Sequence, residues 1–339
     1  MRFLGLFLVS ALATSILACA VDPVGSADAD DDDDDVTVVP PADQPASPSV
    51  TRCLDVPDAG PTEDWRHLSS NLIAELGDAH HRGNDLIATT DDALQTLAGR
   101  LTYGKTDKDL EDEDADVFAC IAGSWKKLAR VTTDGEGRFS LSLSGAQRLP
   151  EGMRDLYLSV VGDRTGVPFV AFVAKPGAAV VVSDVDGTLT SSENAYPTSL
   201  VLGGDVAAQP DAAARLRLAA EHGATIVYLT TRGDRFTQDT RSWLAAKGFP
   251  YGALRMPTSI ITVPGEDTIE AKTSMLGDLA GFTLLAGVGN RHTDVEAYTN
   301  AGLDPQHIFI KLPEFESELT DDLATGRATR IDQYLAMPM

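Results

Sequence analysis

Positive charge is scarce in this 339-residue chain: 27 Lys and Arg stand against 51 Asp and Glu, a formal net charge of −24. A nucleic-acid binder displaces phosphate counterions with Lys and Arg, so this balance argues against nucleic acid as a partner. Cysteine is scarcer still. Cys19, Cys53 and Cys120 are the only three, and their spacing is not that of a zinc site. Cys53 and Cys120 can pair in an oxidising compartment, but two residues establish no geometry, and both the paired and the free state stay open. A long hydrophobic run is also missing near the start, where residues 3–12 are apolar but too short to span a bilayer. Length and an ordinary 43% hydrophobic content allow two domains, each with its own core.

The apolar stretch follows Arg2 and reads as the targeting segment of an exported protein, residues 1–19. Ile16-Leu17-Ala18-Cys19 resembles a bacterial lipobox, which implies lipidation of Cys19 and a membrane anchor. The alternative is ordinary cleavage after Ala20 and secretion, since Ala18-Cys19-Ala20 fits the small-x-small rule. Residues 20–60 then read as a tether. Asp28 and residues 30–35 form an acidic run, and Pro40, Pro41, Pro45 and Pro48 follow, a self-repelling composition that builds no core.

Residues 61–114 read as a helical and polar lead-in. Trp65, Leu68, Leu72, Ile73 and Leu76 recur at helical spacing before Gly77, and a helical texture continues towards residue 100. Arg82, Asp85, Tyr103 and Lys105 lie in this stretch without an evident role. Across 115–176 the segments "ADVFACI", "WKKLARVTT", "GRFSLSL", "RDLYLSVV" and "VPFVAFVA" are β-branched and aromatic, with turn signals between them. They predict a small antiparallel β-sandwich.

Residues 177–339 alternate strand and helix. Strands are expected at 180–182, 225–229, 282–288 and 307–310, with helices at 212–222 and from an Asp234 cap to Lys247. The fold class is therefore α/β, a Rossmann-like parallel sheet with helices on both faces, whose ligand sits beyond the carboxyl ends of the strands.

Chemistry gathers at those ends. The strand "AVVVS" runs into Asp184-Val185-Asp186-Gly187-Thr188, two carboxylates with a glycine for a tight loop and a hydroxyl to orient them. Alone, such a sequence is also a turn or a calcium-loop fragment. Thr230-Thr231-Arg232 ends the next strand, Lys272 opens a helix in "EAKTSML", and Asn290 and Asp294 follow another strand, with Thr293 placed to cap a helix. Each has a plain structural reading, as a capped turn, a solvated lysine or a carboxylate on a helix dipole. Their common placement at strand ends and helix starts joins them.

In this order the residues resemble the haloacid-dehalogenase-like phosphohydrolases. "SDVDGTLT", "YLTTRGD", "GVGNRHTDVEAYTNAGL" and "IFIK" are closer still to lipin-type phosphatidate phosphatases and the C-terminal, LNS-type domain of the RdgB/Nir phosphatidylinositol transfer proteins. "GSWKKLARVTTDGEGRF" also resembles the region before that domain. The resemblance implies Asp184 as nucleophile, Asp186 as acid and base, Thr230 on a phosphoryl oxygen, and Lys272 pairing nucleophile and phosphate. It implies Mg²⁺ on Asp184, Asp186 (through its backbone carbonyl) and Asp294, with Gly187, Thr188, Thr231, Arg232, Asn290 and Arg291 lining the substrate. Asn290 stands where the wider superfamily carries an acid. Between Asp186 and Thr230 there is room for a flap at residues 191–208 and one helix, but not for a folded cap domain. An open site on an anchored tether suits a membrane phospholipid. A non-catalytic phosphatidic-acid-binding module and a phosphatase for small soluble esters are the alternatives.

Overall fold

The computed structural model describes residues 48–196, 199, 205–257 and 265–338. The Cys19 lipobox, the acidic run and part of the expected flap lie outside the described residues. Among the described residues, no helix is long and apolar enough to cross a membrane.

The first half is a β-structure that starts earlier than its sequence indicates. Short elements open it: β1 (Val50–Thr51), α1 (Leu68–Ala74), β2 (Arg82–Asn84), β3 (Leu86–Thr89) and β4 (Leu94–Arg100). A hairpin of β5 (Thr102–Tyr103) and β6 (Lys108–Asp109) follows. Then come β7 (Asp114–Ile121), β8 (Ser124–Thr132), β9 (Arg138–Ser144), β10 (Gly152–Val160) and β11 (Gly166–Ala174). One sheet runs β3-β11-β10-β7-β8 with β1 added to β10, and a second runs β2-β4-β9. The expected helical lead-in is thus corrected: only α1 is helical, and residues 82–100 are strands. The β4 segment alternates exposed and buried residues, a period of two that the apolar count at helical spacing had masked. Two further corrections concern pairing. The sandwich is not purely antiparallel, because β1 with β10 and β3 with β11 are parallel. And the end of the expected tether is part of the fold, since β1 pairs with Met153 and Arg154 and Cys53 is disulfide-bonded to Cys120, Cα atoms 5.9 Å apart.

The second half has the expected α/β fold. Its strands are β12 (Ala179–Asp184), β13 (Thr225–Leu229), β14 (Ala253–Arg255), β15 (Thr283–Gly289), β16 (Ile308–Lys311) and β17 (Thr329–Ile331). Its helices are α2 (Ala212–Glu221), α3 (Thr237–Ala246), α4 (Glu266–Gly277), α5 (His292–Asn300) and α6 (Thr320–Ala324). All pairings in the order β14-β13-β12-β15-β16-β17 are parallel. Every residue of β12 and β13 is buried, and successive side chains go to opposite cores: Val180 and Val182 to one, Val181 to the other. Ile87, Met153, Val170 and Phe172 of the β-structure extend the first of these cores, so the two halves share apolar contacts.

The chain builds outward from β12 through β13 to β14, then crosses back to β15. The sheet therefore reverses between β12 and β15, where open α/β sheets form a crevice at the strands' carboxyl ends. Two expected caps are corrected. Asp234 makes no side-chain cap; it starts a 3₁₀ turn before α3, and its carboxylate faces Arg82. For α5 the N-cap is Arg291 rather than Thr293, and Asp294 accepts the backbone N–H groups of Asn290 and Arg291 at 3.0 and 3.1 Å.

Candidate active site

Asp184 is the last residue of β12, one position deeper than a loop residue, and is only 3% exposed. Lys272, from the middle of α4, donates to Asp184 Oδ1 at 2.7 Å and to Asp294 Oδ1 at 2.5 Å. Thr188 donates to Asp184 Oδ2 at 2.9 Å and lies 3.2 Å from Asn290 Oδ1. A buried ammonium thus bridges two buried carboxylates on either side of the reversal, one at the end of β12 and one in the first turn of α5, after β15. Burial pushes the Asp184 carboxyl well above its ordinary range; Lys272 opposes this, while Asp294, Glu193 and Asp186 add to it. Burial also works against the Lys272 charge, but Asp184 and Asp294 together outweigh it and hold the ammonium above its ordinary range.

Asp186 lies two residues on and is turned to the next strand. Arg232 grips it with Nε at 2.9 Å from Oδ2 and a terminal nitrogen at 2.7 Å from Oδ1, and Thr230 donates to Oδ2 at 3.1 Å. Arg232 is itself locked by Thr240 at 2.9 Å and by the Tyr196 ring, 3.8 Å from the guanidinium carbon to the ring centre. Of the residues expected to line a substrate, Arg232 therefore faces Asp186. Thr231 is half-buried and makes no side-chain hydrogen bond among the described residues.

Gly187 makes the turn between these groups possible. Its φ is +68°, and a Cβ there would lie 2.0 Å from Asn290 Nδ2. Asn290 Nδ2 in turn donates to Glu193 Oε2 at 3.1 Å. Arg291 points outward, to Glu318 at 2.9 Å and over the Phe315 ring. The β15 side is equally tight: a Cβ on Gly289 would lie 2.4 Å from that of Asp294, and the Tyr298 hydroxyl donates to the Val288 carbonyl.

Three neighbours are absent from the residues expected from the sequence. Glu193 sits in the flap and bonds Asn290; burial raises its carboxyl, opposed by the Asn290 hydrogen bond and aided by the Asp186 charge. Tyr196 stacks on Arg232, and Tyr334, 146 residues after Thr188, donates to the Thr188 carbonyl at 2.6 Å. Glu193 follows Asp186 closely enough for an acid in a short flap to serve as a clue. Tyr196 and Tyr334 read as ordinary core aromatics.

As a donor set this crevice fits a hard divalent cation. Asp184, Asp294, Asp186 and Glu193 supply oxygen, and Lys272 is the cation now shared between Asp184 and Asp294. A cavity of about 400 Å³ lies elsewhere, lined by Asn84 and Asp85 of the β-structure and by Asp234, Arg255, Ser274 and Met275.

Comparison with known proteins agrees with this layout. Residues 181–311 match the family described as PITM 1-3, LNS2 domain, and residues 79–173 match the PITM 1-3, beta-sandwich domain. Membrane-associated phosphatidylinositol transfer protein 3 of Homo sapiens is 28% identical over 258 residues, covering 74% of this chain and 25% of the relative. Membrane-associated phosphatidylinositol transfer protein 2 of Mus musculus is 28% identical over 291 residues, 82% of this chain and 21% of that one. Phosphatidate phosphatase LPIN2 of Mus musculus is 28% identical over 218 residues, 58% of this chain and 23% of the relative. The chain spans about a quarter of the length of these curated relatives, and within that span it is similar to the tandem of a PITM beta-sandwich domain and a lipin- and PITM-type LNS2 domain.

Proposed function

We propose that the chain is a Mg²⁺-dependent phosphomonoester hydrolase acting on phosphatidate or a related membrane phospholipid. The observation that carries this reading is the presence of two carboxylates at one strand end in different settings. Asp184 is buried and held by Lys272 and Thr188; Asp186 is held by Thr230 and Arg232. One is fixed for in-line attack on phosphorus, the other placed to give a proton to the leaving alcohol and later take one from water. Attack by Asp184 forms an aspartyl-phosphate and releases the alcohol; water then breaks the acyl-phosphate bond and restores the carboxylate. Thr230 and Arg232, whose donors now face Asp186, offer the same donors to phosphoryl oxygens. Asp184, Asp294 and the Asp186 carbonyl would hold Mg²⁺, which neutralises charge on the phosphoryl group. Asn290 supplies a neutral amide beside it.

The lipid substrate rests on LPIN2, whose name states phosphatidate phosphatase, and on the short flap that leaves a bulky ester room to enter. A lipid on Cys19 would hold the enzyme at its substrate: residues 20–47 reach up to about 95 Å when extended. The Cys53–Cys120 bond supports export to an oxidising compartment.

Phosphate release from phosphatidate vesicles and from soluble sugar or nucleotide esters, with Mg²⁺ and with chelator, tests this reading. We expect release from vesicles that Asp184→Asn abolishes. Equal release by that variant overturns the catalytic assignment, and faster release from soluble esters overturns the lipid substrate. One observation favours a second reading, a phosphatidic-acid-binding module: Arg232 and Thr230 already occupy the acid–base carboxylate. Vesicle binding that persists in chelator without turnover selects it.

A further inference from the structure

The loop that carries Thr230 and Arg232 runs from the end of β13 to Asp234, and the β-structure grips it at both ends. At the near end, Thr230 N–H donates to the Arg255 carbonyl at 3.1 Å, and Arg255 in turn donates to the Asp85 carbonyl at 2.7 Å. The Asp85 side chain is fully enclosed. It accepts from Val170 N–H of β11 and Leu254 N–H of β14, both at 2.7 Å, and from Arg241 of α3 at 2.9 Å. One carboxylate so joins a strand of each half and the helix that follows the loop.

At the far end, Arg82 of β2 is 2% exposed and lies between two carboxylates. It donates to Asp107 Oδ2 at 2.9 Å, and its Nε is 3.2 Å from Asp234 Oδ1, an ion pair rather than an aligned hydrogen bond. Asp107 also meets His80 at 2.8 Å and Arg235 at 3.9 Å. Asp234 is itself buried, and no other side chain among the described residues forms an ion pair with it. A guanidinium buried this deeply is costly unless its geometry has a use, because hydrophobic packing at such a place is often at least as stable.

We propose that Arg82 and Asp85 are positioning residues for the Thr230–Arg232 loop, and that the β-structure is a working part of the active site rather than a spacer. Between the two anchors Arg232 N–H donates to Thr230 Oγ1 at 3.2 Å, and the 3₁₀ turn that starts at the far anchor is closed by Phe236 N–H on the Gly233 carbonyl at 3.0 Å. Anchoring both ends leaves Thr230 and Arg232 one arrangement in which to meet Asp186. A misplacement of about 1 Å at such a site costs on the order of 10²-fold in rate. The catalytic half of this inference rests on the function proposed above; the structural half does not.

Hydrogen exchange and steady-state kinetics on the full chain separate the two. The variants are Arg82→Met, Arg82→Lys and Asp234→Asn, with Arg130→Met as a control that breaks an ion cluster on Asp116 and Glu63 remote from the loop. We expect Arg82→Met and Asp234→Asn to lower protection of the Thr230, Arg232 and Phe236 amides by about 10-fold or more, with β10 and β12 unchanged. We expect kcat to fall by roughly 10- to 100-fold with KM within about 3-fold, and Arg82→Lys to recover part of both. Arg130→Met should change neither. Wild-type protection at residues 230–236 in both Asp234→Asn and Arg82→Lys overturns the proposal. Asp234→Asn keeps shape and removes one buried charge, so it carries the result if Arg82→Met does not fold. If wild type releases no phosphate, the proposed reaction fails while the exchange data still decide the anchoring.

Discussion

His81, next to Arg82 in β2's approach, gives a quantitative prediction. The ring is 4% exposed and both nitrogens are engaged. Nδ1 accepts the Thr102 N–H at 3.3 Å, so the proton is on Nε2, which donates to Thr165 Oγ1 at 2.9 Å. Thr165 then donates to Asp163 Oδ1 at 2.7 Å. A second ring proton would be driven against the Thr102 N–H, and among the described residues no acceptor is bonded to that nitrogen. Burial is the main cause that lowers the His81 pKa, with the Arg82 charge adding and Asp163 opposing, and the ring is pushed down from 6.5 to about 4. As pH falls, the unfolded chain takes up this proton near 6.5 and the folded chain only near 4. The contribution to stability is therefore complete above about pH 7 and is lost progressively between 6.5 and about 4. At about 1.4 kcal/mol per pH unit, the gap comes to roughly 3 kcal/mol. Urea unfolding of wild type and His81→Gln from pH 7.5 to 4 measures it. Buried carboxyls such as Asp184 and Glu193 titrate in both proteins, so the difference between the two curves isolates the histidine. We expect the variant to be less stable at pH 7.5 and the two curves to converge as pH falls. Parallel curves, or a His81 ring that titrates near 6.5 by NMR, refute the reasoning.

Removing Lys272 leaves Asp184 and Asp294 buried without their cation, so Lys272→Met should lose about 3–5 kcal/mol in chelator and regain part of it in Mg²⁺; urea midpoints equal to wild type in chelator would count against the pairing. Gly187→Ala must place its methyl where the Asn290 amide lies and hold a left-handed φ, costing roughly 1–2 kcal/mol for the backbone alone. Phosphate release should fall by about 100-fold with the far-ultraviolet spectrum unchanged, and retained activity would show that Asn290 is not needed where it stands. Cys53→Ser opens a loop closed over 67 residues, worth roughly 4 kcal/mol by loop entropy; an unchanged melting temperature under non-reducing conditions would show that the bond does not form.

The parallel sheet was legible because its central strands are buried on both faces. "AVVVSD" and "TIVYL" leave no polar position for solvent, and turn signals bound them. Motif residues at strand ends were legible for the same reason, since a carboxylate after such a run has few structural uses. The first sandwich strands were not. Leu68, Leu72 and Leu76 stand at helical spacing, yet all three are exposed, and Trp65 and Ile73 make the contacts with the core. The β2 strand, Arg-Gly-Asn, has no apolar residue. Arg82 in it is buried with its partners Asp107 and Asp234, one of them 152 positions away in the other half. Local periodicity reports burial by apolar contact and is silent on burial by paired charge. Arg82 and Asp85 thus looked like ordinary residues of a polar stretch, and their role emerged only when the distant partner was in place.

The same limit governs the reading of the site's charge. With a net charge of −24, the chain repels an anionic phosphate at long range, so binding must come from charges within the crevice. Lys272 is shared between Asp184 and Asp294, Arg232 is spent on Asp186, and Arg291 on Glu318. No cation among these faces the crevice unpaired. Under the proposed function a phosphoryl group entering here must share Arg232 with Asp186, and the proposed Mg²⁺ would bring the remaining positive charge. In the proposed reaction, sharing Arg232 with a phosphoryl oxygen loosens its grip on Asp186. The loop that carries Arg232 has to keep its place through that exchange, and Arg82 and Asp85, reaching across from the other half, are what hold its ends.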